Sequence, residues 1–290
     1  IANISADINR VNISSVTGGA GITINAGTSS TIGLNIAAAI TAATTLTVDS
    51  GTGTSDTTSI VNMLTAGQMA SATSDITVTD VETVTINTGT YATAAAQLIG
   101  NINVGAANTL VLAGANALTV AATDTITANT VTVGGGALTM TGALVGTTSG
   151  TNTITGGAGA DTLFGDANDT TNIDGGAGVD NITGGSDAET ISGGAGNDVI
   201  DGNDGADTLN GDAGNDDITG GTGNDTINGG DGNDAIDSEA GTDTINGGAG
   251  NDTINMDSDL TFEDVIDGGD GVDVLALDAA ATAATAASVT

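Results

Sequence analysis

A nine-residue period constrains this chain more than any other feature. Between Gly156 and Ala276 the pattern G-G-x-G-x-D-x-U-x recurs, with U a large aliphatic residue. Gly220-Gly221-Thr222-Gly223-Asn224-Asp225-Thr226-Ile227-Asn228 is the clearest copy. Gly229-Gly230-Asp231-Gly232-Asn233-Asp234-Ala235-Ile236-Asp237 follows it without a gap. A unit this short cannot bury an apolar face alone. It gains a core only by stacking on its neighbours, so the period predicts a solenoid. In register, copies start at Gly156, Gly165, Gly175, Gly184, Gly193, Gly202, Gly211, Gly220, Gly229, Ser238, Gly247 and Gly268. Position eight is Leu163, Ile182, Ile191, Ile200, Leu209, Ile218, Ile227, Ile236, Ile245, Ile254 and Leu275. The copy at Gly165 runs to ten residues, with Asp169 and Ile173 as its expected acidic and apolar members. Twelve residues, Met256 to Asp267, interrupt the count, and the stack is expected to break at this insertion.

Each residue type has a physical task. The segment G-G-x-G-x-D must turn sharply, and glycine reaches the positive φ such a turn needs. The turn exposes backbone carbonyls on its concave side, and the acid adds a negative charge. The x-U-x that follows is a short strand with one inward side chain. Two units make a coil of eighteen residues, so turns on one edge stack eighteen apart. The chain has no Cys, no His and a single basic residue, Arg10. Ligands for a metal are therefore oxygens, which suit hard cations and calcium first. One turn offers about three oxygens, half of the 6–8 that calcium takes. A second, stacked turn supplies the rest.

This reasoning names the ligands. The acids are Asp161, Asp180, Glu189, Asp198, Asp207, Asp216, Asp225, Asp234, Asp243, Asp252 and Asp273. With them go the backbone carbonyls of Gly193, Ala195, Gly211, Ala213, Gly220, Thr222, Gly229, Asp231, Gly247 and Ala249. One edge pairs Asp180–Asp198, Asp198–Asp216, Asp216–Asp234 and Asp234–Asp252. The other pairs Glu189–Asp207, Asp207–Asp225 and Asp225–Asp243. Asp161 with Asp180, nineteen apart, makes an eighth pair. Within the insertion, Asp257, Asp259, Glu263, Asp264 and Asp267 are expected to cap the stack or hold one more ion. Without ions the stacked carboxylates repel, and the thin Ile/Leu file cannot offset chain entropy. Metal binding and folding are then expected to be one event.

These repeats resemble the RTX calcium-binding family over about 120 residues. The resemblance implies a right-handed parallel β-roll with calcium held between coils by turn carbonyls and the Asp. It also implies export from Gram-negative cells as an unfolded chain through a type I channel, followed by folding in external calcium. Departures from the pattern are Glu189 for Asp, Ser238 for Gly, Ser186-Asp187 in the fourth copy and the long copy at Gly165.

Residues 1–150 hold 7 of the 36 acidic residues, which marks a boundary near 150. The expected division is residues 1–155, a Thr/Ala/Val-rich region; 156–276, the repeat; and 277–290, an Ala/Thr-rich tail. The first region alternates β-branched and polar residues, as in Ile22-Thr23-Ile24-Asn25, Leu46-Thr47-Val48-Asp49 and Ile76-Thr77-Val78-Thr79, a strand signal. Apolar pairs recur every eight residues at Ile102/Val104, Leu110/Leu112, Leu118/Val120 and Ile126/Ala128. An irregular β-solenoid or a β-sandwich is expected here, with helical turns weighed at 59–70 and 91–99. The segment Asp80-Val81-Glu82-Thr83-Val84-Thr85-Ile86-Asn87 and the Thr/Ala/Val-rich composition resemble RTX-type surface-layer proteins. Thr-x-Thr triplets such as Thr77–Thr79 and Thr83–Thr85 resemble ice-binding solenoids, although Thr is also simply a good strand former. The loops 49–56 and 75–82 are oxygen-rich and are candidates for additional calcium.

The whole chain is thus expected to be all-β. A net charge of -35 argues against nucleic acid and anionic membrane as partners. No apolar run is long enough to span a bilayer. The start at Ile1 without Met, with no signal peptide in view, suggests a fragment or processed product, as does the short C-terminal run. No catalytic residue is assigned, and without His neither a zinc-protease helix nor a Ser–His elbow can form within these residues. The expected function is a non-catalytic extracellular structural protein of surface-layer, filament or matrix type. It would bind about seven to eight calcium ions and self-associate into a lattice or filament, with cell-surface polysaccharide as a further partner. The alternatives are a secretion and folding module of a larger RTX enzyme or toxin, and an RTX adhesin with ice-binding character.

Overall fold

In a computed structural model of the chain, the described residues are 151–277 apart from 168 and 257–259, the fourteen strands before them, and residues 288–289. The chain divides into two compact units, Ile1–Thr153 and Ile154–Thr290. Among the described residues no helix is long and apolar enough to cross a membrane.

The first unit is a stack of short parallel strands in three ladders. One holds Arg10–Ile13, Ile32–Ile36, Ser59–Met63, Thr83–Asn87, Thr109–Ala113 and Thr130–Val133. The second holds Ile22–Asn25, Leu46–Asp49, Ile76–Thr79, Ile102–Asn103 and Ile126–Thr127. The third holds Gln97–Ile99, Leu118–Val120 and Leu138–Met140. The described pairings are parallel, whereas a sandwich of this kind is built from antiparallel strands, so the solenoid alternative holds. Ile102 pairs with Ile126, twenty-four residues on. The eight-residue spacing is therefore the step from one side of a three-sided coil to the next. Register aligns Thr23, Thr47 and Thr77, and likewise Thr83, Thr109 and Thr130. The helical turns weighed at 59–70 and 91–99 are corrected where the chain is described. Ser59–Met63 and Gln97–Ile99 are strands, because β-branched and aliphatic residues there join existing ladders. Residues 50–56, 75 and 80–82, weighed as calcium loops, lie outside the described residues.

The second unit is a two-sided parallel roll. One ladder runs through Thr171–Ala177, Thr190–Ala195, Thr208–Ala213, Thr226–Asp231, Thr244–Ala249 and Val265–Asp267. The other runs through Thr162–Phe164, Asn181–Thr183, Val199–Asp201, Asp217–Thr222, Ala235–Ala240, Thr253–Met256 and Val274–Leu277. Register stacks Ile182, Ile200, Ile218, Ile236 and Ile254 on one side. It stacks Ile173, Ile191, Leu209, Ile227 and Ile245 on the other. All ten are buried, and two facing aliphatic files make up the core. Leu275, at the last coil, is half-buried.

The stack does not break at 256–267. Ile245 pairs with Ile266 and Ile254 with Leu275, so both ladders continue with twenty-one residues per coil instead of eighteen. Asp264-Val265-Ile266-Asp267 keeps the D-x-U-x half of the repeat. The three surplus residues lengthen the turn before Asp264 and leave the strand intact. Lengthening a loop costs little entropy, whereas displacing Ile266 would expose the end of the core.

Candidate metal centre

Each position-six acid sits at the end of a turn, just before the strand that carries its buried aliphatic neighbour. The ladder therefore brings these acids into line. The backbone N–H of Asp198 donates to Asp216 Oδ1 at 2.8 Å, and that of Asp216 donates to Asp234 Oδ1 at 2.9 Å. The same bond joins Asp180 to Asp198 and Asp234 to Asp252. On the other edge it joins Glu189 to Asp207, Asp207 to Asp225 and Asp225 to Asp243. Asp161 donates to Asp180 Oδ1 across nineteen residues. All seven pairs expected from the eighteen-residue spacing are thus in contact, and so is the nineteen-residue one. Asp252 bonds Asp273 and Asp243 bonds Asp264, each across twenty-one residues, where a break was expected.

One carboxylate oxygen is used in this way; the other is not. Oδ2 of Asp180, Asp198, Asp207, Asp216, Asp225, Asp234 and Asp252, and Oε1 of Glu189, are buried without a hydrogen-bond partner. The residues that carry them are 1–2 % exposed. A buried charge without a partner is strongly unfavourable. Burial accordingly pushes the carboxyls of Asp180, Asp207 and Asp243 up to about 6, and those of Glu189 and Asp216 up to about 7. The same cause raises Asp198, Asp225, Asp234 and Asp252. In each, a backbone N–H from the turn stacked on it or from its own turn opposes the shift only in part.

The first glycine of each turn leaves room around that oxygen. A β-carbon on Gly193 would lie 2.6 Å from Asp198 Oδ2 and 2.9 Å from the Gly211 carbonyl oxygen. On Gly202 it would lie 2.7 Å from Asp207 Oδ2 and 2.5 Å from the Gly220 carbonyl oxygen. The position-one carbonyls of Gly193, Gly211, Gly220, Gly229 and Gly247 are thus brought beside the turn stacked before them. The position-three carbonyls of Ala195, Ala213, Thr222, Asp231 and Ala249 each accept an inter-coil N–H from the fourth residue of that turn. That leaves them one lone pair. Among the described residues no three acidic side chains converge on one point. The donor set is a pair of carboxylates per stacked turn, supplemented by backbone oxygens. That chemistry fits calcium and supplies no soft ligand for a transition metal.

Two assignments change. At the long copy Thr171, not Asp169, occupies position six. It is fully buried, Asp166 N–H donates to its Oγ1 at 3.1 Å, and a Thr171 backbone bond reaches the Glu189 carboxylate. The extra residue in this turn moves Asp169 off the aligned position, and counting back from Ile173 rather than forward from Gly165 would have located Thr171. In the insertion, Asp264 is a position-six acid, 1 % exposed, signalled by the D-x-U-x that follows it. Asp257 and Asp259 lie outside the described residues. The sequence reading also passed over position five. Asn197, Asn215, Asn233 and Asn251 form an exposed file in which each side-chain oxygen accepts the next turn's N–H, at 2.7–3.0 Å.

Fold and site together define a parallel β-roll whose turns are built to hold hard cations between coils. Residues 147–171, 183–218, 219–254 and 260–280 match the RTX calcium-binding nonapeptide repeat in four copies. These residues carry RTX calcium-binding repeats. No curated protein and no solved structure matched the chain. Proteins with this repeat are typically secreted.

Proposed function

We propose that the chain is a non-catalytic, extracellular structural protein of surface-layer, filament or matrix type that folds and self-associates on binding calcium. The file of partnerless buried carboxylate oxygens carries this reading. Such a file runs the length of the roll, and it is tolerable only when cations or protons occupy it. Eight of the position-six acids carry such an oxygen, which supports an occupancy of about seven to eight ions. The ions would make a thin-cored roll rigid, a property suited to a scaffold. Self-association draws support from the last coil. Val274–Leu277 ends its ladder among the described residues, and Phe262, Val272, Val274 and Leu277 are exposed. Imaging the protein at high concentration in calcium and in chelator tests this reading. Ordered sheets or fibres that require calcium are expected; particles that stay monomeric in calcium would overturn it.

One observation favours an adhesin as a second reading. Register stacks Thr190, Thr208, Thr226 and Thr244 into a single exposed file of hydroxyls, at the spacing of adjacent strands, about 4.8 Å. A regular solid or a repeating glycan could match such a file. Thermal hysteresis, or retention on polysaccharide, would support this reading, and the absence of both would remove it.

A further inference from the structure

The sequence holds three Asn-Gly steps, Asn210-Gly211, Asn228-Gly229 and Asn246-Gly247. All three fall at one place in the repeat, position nine followed by position one. Register stacks Asn210 on Asn228 and Asn228 on Asn246. Each step joins a buried aliphatic residue, Leu209, Ile227 or Ile245, to the turn that ends in Asp216, Asp234 or Asp252. That turn dictates the glycine. A β-carbon on Gly229 would lie 2.5 Å from Asp234 Oδ2, and one on Gly247 2.6 Å from Asp252 Oδ2. The roll thus places a chemically fragile dipeptide at the base of three turns. With no side chain, glycine leaves its backbone nitrogen unhindered and its dihedrals free. In a loose chain that nitrogen reaches the carboxamide carbon of the asparagine before it.

The folded roll blocks this approach. Asn210, Asn228 and Asn246 lie in parallel strands, where ψ is about +115°. The following N–H then lies in the plane of the sheet, while the side chain stands out of it. The position-one N–H is also committed to the ladder. Gly156 donates to the Asp174 carbonyl at 2.6 Å, and Gly184 and Gly202 donate to Asp201 and Thr219 at 2.7 and 3.0 Å. Gly211, Gly229 and Gly247 hold the same position and are buried. The carboxamides are held as well: Asn246 Nδ2 donates to Asn228 Oδ1 at 3.0 Å, and Asn210 Nδ2 to the Ile191 carbonyl at 3.5 Å. Every one of these restraints depends on a neighbouring coil, so none survives unfolding.

We infer that Asn210, Asn228 and Asn246 are calcium-gated modification sites, sealed in the folded roll and deamidated by water when calcium is withdrawn. The glycine nitrogen loses its proton to solvent base and bonds to the asparagine Cγ. The bond from Cγ to the side-chain nitrogen breaks, and ammonia leaves. Water then opens the resulting five-membered imide at either carbonyl, giving aspartate or isoaspartate. The change is not reversed by returning calcium. Isoaspartate adds a carbon to the main chain between the buried aliphatic residue and its turn, which shifts the acid out of register with the stacked turns. Aspartate adds charge to a file in which Asn246 already pairs with Asp267. Time spent without calcium is thereby recorded in the chain, and an aged chain needs more calcium to fold. The inference rests on calcium-coupled folding of the roll.

Peptide mass spectrometry of the full chain, aged in mildly alkaline buffer with calcium, with chelator, or with urea, tests this. In the folded state the reaction must await opening of a coil, so its rate follows the open population. Deamidation at the three sites should run at least about a hundredfold faster in chelator than in calcium. Urea should match chelator. Equal rates in calcium and chelator, or three asparagines intact in urea, would overturn the assignment. Fast reaction in urea but not in chelator, with the β signal retained in chelator, would instead overturn calcium-coupled folding, and the gate with it. Chains aged in chelator should need several-fold more calcium to refold than fresh ones. The triple variant Asn210→Gln, Asn228→Gln, Asn246→Gln keeps the outward amides but lengthens the ring that must close, so its calcium midpoint should not drift with ageing. A midpoint unchanged in aged parent, or drifting equally in the variant, would overturn the recording role.

Discussion

The position-six acids show how one residue can serve both backbone and ion. Asp216 Oδ1 holds the N–H of Asp198, and its Oδ2 is left buried and partnerless. Asp216→Asn keeps the first oxygen but replaces the second with an amide that repels a cation. At least one ion should be lost per chain, and the calcium midpoint for folding should rise several-fold, as read by calorimetry and circular dichroism. The raised carboxyls also fix a pH dependence. Their neutral form is favoured in the fold, so without metal their contribution is fully present below the unfolded carboxyl value, near 4. It is lost as pH rises through about 6–7. Calcium competes with those same protons. The calcium midpoint should therefore be higher at pH 5.5 than at pH 8, with protons released on binding. A midpoint that does not move between these values would show that these carboxyls are not the ligands. Glycine matters where the turns touch: at Gly214, φ is 145° and an added β-carbon would strike the Gly196 carbonyl. Gly214→Ala should destabilise the calcium-loaded roll, seen as a lower melting temperature.

At the scale of elements, a strand here is worth its one inward side chain. Ile218 is fully buried between Ile200 and Ile236. Ile218→Ala removes contacts to both neighbouring coils and to the opposite file. It should cost about 2–5 kcal/mol in denaturant titrations at saturating calcium. An unchanged denaturation midpoint would contradict the two-file core. Turns, by contrast, tolerate length. The coil holding Ile266 is three residues longer than its neighbours, yet its strand stays in register.

For the whole molecule, the relevant balance is between charge and core. The chain carries 36 acidic residues against one basic residue, and its aromatics are a single Tyr and two Phe. Few large side chains are available to oppose repulsion among stacked carboxylates. Chelation should therefore expand the repeat region and remove its β signal in one cooperative transition, reversed by returning calcium. Circular dichroism with solution size measured at each step is the check. A β signal and size unchanged in chelator would refute coupled folding and binding.

Much of this was legible in the sequence. The nine-residue phase alone gave the coil length, the inward file from Leu163 to Ile254 and the stacked pairs from Asp161 to Asp252, because a strict repeat fixes register without any long-range information. What the tertiary structure decided lies where the phase slips. Thr171 replaced Asp169, and Asp264 entered the file, because the ladder is anchored by buried Ile173 and Ile266 while the turns absorb surplus residues. The Asn file at position five and the Ser238 hydroxyl's bond to Met256 Sδ likewise depend on contacts between coils. A single repeat unit does not encode those contacts; only the stack creates them.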